Sequence, residues 1–252
     1  MKRERIYLST IAADAPEVAR QYGFGLEIAD YCTAYNMDDN LRQTATAVRT
    51  AVAGISRRTL HAPFSELFPC AVDPRIRQVA ADRYHQALAL AAGYGAERVV
   101  IHGGYNEHLY FPCWYRDESV KFWSNFADTV PDGMVICLEN VLEDRPEMIP
   151  EILAAVNREN LAMCLDIGHA QAYSRVPAME WLERCAPYLR HFHIHNNDGT
   201  RDSHNAPEDG VIPVAALLRR AETLCPDATF TLEVLEARPA AQWLEREGLL
   251  ED

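Results

Sequence analysis

Short apolar runs of β-type residues in this chain end, one after another, in a histidine or a carboxylate. The pattern occurs at Leu60-His61, Val99-Val100-Ile101-His102, Ile136-Cys137-Leu138-Glu139 and Met163-Cys164-Leu165-Asp166, the last followed by His169. It returns at Phe192-His193-Ile194-His195, with Asp202 and His204 close behind, and at Phe230-Thr231-Leu232-Glu233. Imidazole and carboxylate are the ligand set of divalent metals such as zinc and manganese. Glu139, Asp166, His193 and Glu233, one from each of four runs, would make an N/O site for one ion with open positions for two neighbouring substrate oxygens. A metal bridging a carbonyl and an adjacent hydroxyl acidifies the intervening C–H and stabilises the enediolate. Glu139 and Glu233, placed on opposite sides of such a substrate, would serve as base and acid. That is the chemistry of an aldose–ketose isomerase, or of an epimerase acting beside a ketone. His61, His102, His169, Asp202 and His204 form a second layer and raise the count to nine potential ligands, enough for two or three ions. A multinuclear cluster of that kind suits phosphoester hydrolysis.

Such donors meet only if the elements bring their ends together. Strands are expected near residues 6–8, 25–28, 59–62, 98–102, 134–139, 162–166, 189–195 and 229–234. Helical stretches alternate with them. Asp14-Ala15-Pro16-Glu17 reads as a capping box with Gly23 at the stop. Asp73-Pro74 opens a long helix to Gly93, and Pro146, Pro177 and Pro213 each begin another. Residues near 39–54, 117–128 and 238–247 supply the rest. Eight strands alternating with eight helices, and no G-x-G-x-x-G loop after the first strand, argue for one α/β domain over residues 1–252, a (β/α)8 TIM barrel. In that fold the C-terminal strand ends share one mouth, where the chemistry is kept. Residues two apart on a strand share a face, so Cys137 and Cys164 should pack beneath Glu139 and Asp166. The longest connections, 103–117 and 196–211, lie on the mouth side. Tyr110, Phe111, Trp114 and Tyr115 in the first would form a lid or a sugar-stacking wall.

Composition narrows the classes further. The 252 residues match one barrel of about 250 residues. No apolar run approaches the ~20 residues of a membrane span, and Ile6-Tyr7-Leu8 is too short for a secretory core, so a cytoplasmic protein is expected. Seven cysteines without a C-x-x-C pair fit reduced thiols better than disulfides or a cysteine-type zinc site. The net charge of −13, from 24 basic and 37 acidic side chains, argues against nucleic acid as partner. Only two lysines exist, Lys2 and Lys121, and neither sits at a strand end, which argues against a Schiff-base aldolase. The expected partner is a small sugar or polyol-derived molecule; self-association into a homo-oligomer stays open.

The motifs Leu60-His61-Ala62-Pro63-Phe64, Cys137-Leu138-Glu139-Asn140, Cys164-Leu165-Asp166-Ile167-Gly168-His169-Ala170 and His193-Ile194-His195-Asn196-Asn197-Asp198-Gly199 resemble those of the xylose isomerase-like barrel superfamily. Asp202-Ser203-His204 followed by Glu208-Asp209-Gly210-Val211-Ile212 is similar as well. The superfamily holds sugar isomerases, ketose 3-epimerases, hydroxypyruvate and inosose-type enzymes, and the endonuclease IV family of DNA repair enzymes. The epimerase pattern implies Glu139, Asp166, His193 and Glu233 as ligands of one ion, with the two glutamates as acid–base pair. The endonuclease pattern implies all nine residues around three zinc ions. The chain departs from the repair enzymes where Phe64-Ser65-Glu66-Leu67 follows His61-Ala62-Pro63, where His193-Ile194-His195-Asn196 replaces a His-Leu-Asn-Asp run, and where Glu208-Asp209-Gly210 keeps only part of a glycine-rich turn.

Several residues have two readings. The resemblance also places His61, His102, His169 and the Asp202/His204 pair in sugar-type members, where some of them contact substrate, and His195, one step past His193, would orient substrate at the rim. Glu27 would bind a sugar hydroxyl or take part in structural pairing, and Trp114 would line the wall. His191 sits one layer deeper and suits hydrogen-bonding support. Arg145 and Arg201 would hold a phosphate or stay solvated. Three functions follow: a metal-dependent sugar isomerase or epimerase, favoured on charge and on the absence of duplex-gripping loops; a multinuclear zinc phosphodiesterase; and a non-catalytic metabolite-binding barrel.

Overall fold

The computed structural model describes residues 1–251. Eight strands, β1 (Ile6–Ser9), β2 (Gly25–Ile28), β3 (Arg58–His61), β4 (Arg98–His102), β5 (Val135–Glu139), β6 (Leu161–Asp166), β7 (Leu189–Ile194) and β8 (Thr229–Leu232), pair in chain order into a closed parallel barrel. Closure is made by β8 against β1, with Leu232 beside Leu8. Around it lie α1 (Ala15–Tyr22), α2 (Ala34–Met37), α3 (Leu41–Ala51), α4 (Pro74–Tyr94), α5 (Pro112–Ala127), α6 (Met148–Val156), α7 (Ile167–Tyr173), α8 (Ala178–Cys185), α9 (Val214–Leu224) and α10 (Ala237–Arg246). The expected (β/α)8 architecture is the observed one. No helix among the described residues is long and apolar enough to cross a membrane.

Period-two alternation explains how the strands work. Outward residues such as Leu8, Leu26, Leu60, Ile101, Leu138, Leu165 and Phe192 are large, apolar and wholly buried against the helices. Inward residues are small or polar. Val100, Cys137, Ala162 and Cys164 form a compact apolar plug inside the barrel, separate from the main core, so the two cysteines do pack below the donors. Gly25 serves the same interior: a Cβ there would come 2.5 Å from the Tyr7 ring. Above the plug the inward positions turn ionisable. The register sets Glu139 beside His102 and Asp166 beside His193, and it shifts between Met163 and Cys164.

Some local expectations change. Asp14 does not cap α1. Its carboxylate accepts the backbone N–H groups of Ala237 and Arg238 at 2.9 and 3.0 Å, so it caps the last helix and ties the first βα unit to the final one. The helix opened by Asp73 passes through Gly93 and stops at Gly95, whose φ of 67° supplies the left-handed turn. Pro146 lies two residues before α6, and Pro177 and Pro213 are the caps before α8 and α9 rather than first helical residues. The helix expected from 117 begins at Pro112, which shortens the fourth mouth loop to residues 103–111 and places Trp114 and Tyr115 on α5. Helix α7 was not expected. It starts directly from Asp166, whose side chain accepts the His169 N–H at 2.6 Å. The Asp-x-x-His spacing is thus an N-cap and its third helical residue, a geometry that presents both side chains at the mouth.

Candidate metal centre

Each donor arrives at the end of a strand. Glu139 ends β5, Asp166 ends β6, His193 is the last inward residue of β7, and Glu233 follows β8 directly. All four are buried, and one ligand atom from each lies within 4.8 Å of the others. His193 Nδ1 is the hub: Glu139 Oε1 lies at 3.1 Å, Glu233 Oε2 at 3.0 Å and Asp166 Oδ2 at 3.8 Å. The other ring nitrogen, Nε2, faces Glu27 Oε1 at 2.9 Å. Three carboxylates crowding one imidazole nitrogen away from water repel one another unless positive charge stands among them. Burial alone would raise the Glu139 carboxyl, yet the charge of His193 and hydrogen bonds from His169 and His193 hold it well below the usual range. Asp166 and Glu233 are lowered against the same burial, by His169 and His195 and by His193 respectively. His193 moves the other way: burial opposes its charge, and Cys164, Glu233, Glu27 and Glu139 outweigh that and raise it well above the ordinary histidine value. The donor set therefore fits a divalent cation, with the imidazolium proton taking the cation's part in the metal-free protein.

A second tier surrounds this tetrad. His61 Nε2 lies 3.1 Å and His102 Nε2 3.4 Å from Glu139 Oε2. His169 Nε2 and His204 Nε2 approach Asp202 Oδ2 at 3.3 and 3.0 Å. Three of these rings have a fixed tautomer. The Nδ1–H of His61, His169 and His204 donates to the carbonyls of Ala62, Asn140 and Glu233 at 2.9, 3.0 and 2.8 Å. Because a carbonyl only accepts, Nε2 is the nitrogen left facing a carboxylate, as an N–H donor when the ring is protonated or as a ligand when a cation is bound. Burial drives His102 down to about 3, so it stays neutral.

The structure relocates three expected substrate contacts. Glu27 is wholly buried beneath the mouth; its Oε2 accepts from His191 Nε2 at 2.9 Å and from Thr231 Oγ1 at 2.8 Å, while Oε1 faces His193. It supports His193 from below instead of meeting a sugar, and His191 lies in the same layer, as its depth suggested. His195 is wholly buried too, against Asp166, and does not reach the rim. Trp114 commits its indole N–H to the Cys70 carbonyl at 2.9 Å, an anchor for the loop after β3. The aromatic ring at the metal donors is Phe64, stacked on His102 at 4.4 Å and partly exposed.

Three asparagines carry the frame, and residue type alone gave them no role. Asn140 receives the Asp166 N–H at 3.0 Å and donates to the Asp166 carbonyl at 2.9 Å, so its side chain adds one rung to the β5–β6 ladder where β5 turns away. Asn196 donates to the carbonyls of Pro207 and Ile212 and accepts from the N–H groups of Asn197 and Ile212, which gathers the loop bearing Asp202 and His204. Asn197 ties that loop to Gly168 O at 2.9 Å. The signal available in the sequence was an asparagine directly after a strand, where an amide can act as both donor and acceptor.

A family model described as xylose isomerase-like TIM barrel matches residues 17–249. An uncharacterised protein of Methanocaldococcus jannaschii is 29% identical over 73% of this chain and 66% of its own length. Across the first curated relatives, all from that organism, the chain spans about half to two thirds of their length. Fructoselysine 3-epimerase of Escherichia coli O157:H7 is 25% identical over 82% of this chain and 78% of its own. Among solved structures, a D-tagatose 3-epimerase-like protein superposes with a TM-score of 0.80 at 24% identity, covering 97% of each chain, a likeness of fold. A Thermus thermophilus protein soaked with ZnCl2 has a TM-score of 0.77 at 26% identity, over 96% of this chain and 97% of that one.

Proposed function

Because this chain belongs to the xylose isomerase-like TIM barrel family, we propose that it is a divalent-metal-dependent isomerase or epimerase of a sugar or sugar-derived polyol. The observation that carries the reading is the tetrad itself: two glutamates, an aspartate and a histidine from four consecutive strands, converging on one point in a buried polar mouth. The epimerase relative supports the reaction class, and the zinc-soaked neighbour is in keeping with the cation. Glu139, Asp166, His193 and Glu233 would hold one zinc or manganese ion. Bound there, the ion would polarise neighbouring carbonyl and hydroxyl oxygens and so acidify the C–H between them.

The chain's own residues do the rest. Glu139 and Glu233 approach the same nitrogen from two strands that are not neighbours, so a substrate lying between them meets a carboxylate on either side. One removes the proton and the other returns it. The histidines hold both carboxyls below the usual range, so either is ready to accept the substrate proton, and the other must first take up a solvent proton before it returns one to the opposite face. His61 and His102, both against Glu139 Oε2, orient that carboxylate. Glu27 fixes the His193 ring so that Nδ1 faces the carboxylates. Phe64 offers an apolar face to the C–H side of a sugar ring. The test is proton exchange in D2O: zinc- or manganese-loaded protein should place deuterium beside the carbonyl of at least one free ketose, such as D-tagatose or D-fructose, or of fructoselysine. Glu139→Gln and Glu233→Gln should each lower that exchange at least 10³-fold, an effect of about 4 kcal/mol.

A second reading, a multinuclear zinc phosphodiesterase, is favoured by one observation. With Nδ1 of His61, His169 and His204 engaged by carbonyls, their Nε2 atoms lie against Glu139 Oε2 and Asp202 Oδ2, as extra cation seats would require. Cleavage of a duplex bearing an abasic site, with no deuterium entering any of these sugars, would select it.

A further inference from the structure

We propose that His195 is a positioning residue for Asp166, a role that rests on Asp166 being a metal ligand. The ring is wholly buried, and its Nε2 lies 3.1 Å from Oδ1 and 3.1 Å from Oδ2 of Asp166. An N–H at that point forks across both oxygens and sets the rotation of the carboxylate. The other restraints act elsewhere. The His169 N–H grips Oδ1, and Asn140 holds only the Asp166 backbone. Among the described residues His195 is the one hydrogen-bond donor to Oδ2, the oxygen turned toward His193 Nδ1.

Two further observations show that space is made for this ring. A glycine inside a helix costs about 1 kcal/mol relative to alanine, yet Gly168 occupies the first turn of α7 without a left-handed φ that would require it. Its reason is steric, because a Cβ at 168 would overlap the His195 ring. The ring also stacks on His204 at 4.3 Å with 23° between the planes, and its Nε2 lies 3.6 Å from Asp202 Oδ1. Held this way, His195 keeps Asp166 in one orientation before any cation arrives.

The experiment measures zinc alone, by stoichiometry and by chelator competition, together with the visible absorption of cobalt-loaded protein. His195→Ala should keep the number of ions and weaken zinc binding roughly 10- to 100-fold, the usual loss when a group behind a metal ligand is removed. His195→Gln, which returns an N–H donor, should recover most of that affinity. Gly168→Ala keeps the imidazole but displaces it, and should reproduce the loss with a changed cobalt spectrum, beside a modest fall in the zinc-free melting temperature from the overpacked methyl. If His195→Ala does not fold, the Gln and Gly168→Ala variants decide the matter. Wild-type affinity in His195→Ala and Gly168→Ala overturns the proposal, and so does loss of a whole equivalent of zinc, which would make His195 a ligand. Asp166→Asn separates the two readings. Unchanged zinc affinity there overturns the metal site and the positioning role together, whereas lost affinity there beside wild-type binding in His195→Ala overturns only the positioning role.

Discussion

On β5, Ile136 and Leu138 point outward and are wholly buried against the helices, while Cys137 and Glu139 point inward, one in the plug and one in the candidate metal centre. The same split runs through β6, where Met163 and Leu165 face out and Cys164 and Asp166 face in. One short strand thus serves two environments with opposite demands. Outside, volume and apolarity are what count, because burial of large side chains holds the helices on the barrel. Inside, the rising sequence of small apolar residue and then charged donor matters, because each ionised group must be compensated by its neighbours. The difference teaches that damage to the outer face should read out as lost stability and damage to the inner face as lost chemistry.

The sharpest way to break that division is to remove the cation. Chelation should abolish the proposed proton exchange and lower the melting temperature, and zinc at about a thousand times its dissociation constant should restore roughly 4 kcal/mol. A calorimetric scan with and without chelator checks both. An unchanged melting temperature would mean that the mouth is stable without positive charge from a metal. Next in size, Leu138→Ala should cost about 2 to 5 kcal/mol by denaturant unfolding, the range for a buried leucine, while zinc affinity stays within about twofold. A large change in zinc affinity there would break the separation of faces. The smallest effect concerns Glu143, which is buried beside Tyr115 (hydroxyl to Oε1, 2.7 Å) and Val141 (N–H to Oε2, 2.7 Å). Burial raises its carboxyl above the ordinary value. Its contribution is thus complete below the unfolded pKa and is lost as pH rises through the folded one. Glu143→Gln lacks that loss, so its stability relative to the native protein should climb as pH rises. Paired urea titrations at pH 4 and pH 7 measure the trend, and an equal gap at both would refute it.

The barrel was legible because each strand announced itself twice, by alternation and by the donor that ended it. The eight expected strands match the observed ones to within two residues, with the surplus at ends such as 62, 195 and 234, where the chain has already left the ladder. What stayed hidden was decided by contacts far apart in sequence. Asp14 looked like a local cap because its partner, the start of α10, lies more than two hundred residues away. Trp114 looked like a loop aromatic because Pro112, not Asp117, begins α5. Helix α7 was concealed by its shortness and by sharing Asp166 and His169 with the donor motif. The same holds at the centre. The tetrad follows from strand ends alone, and the structure brings those four residues together. The seats of Glu27 and His195 depend on how deep each lies in the barrel, which spacing along one strand does not reveal.

Closure between β8 and β1 has an implication for how the protein matures. Glu233 comes just past the final strand, so a chain still leaving the ribosome carries three corners of the tetrad and lacks the fourth. Under the proposed function, ion capture at full strength would wait until the ring shuts. On that reading the eighth strand would also be the step that arms the molecule.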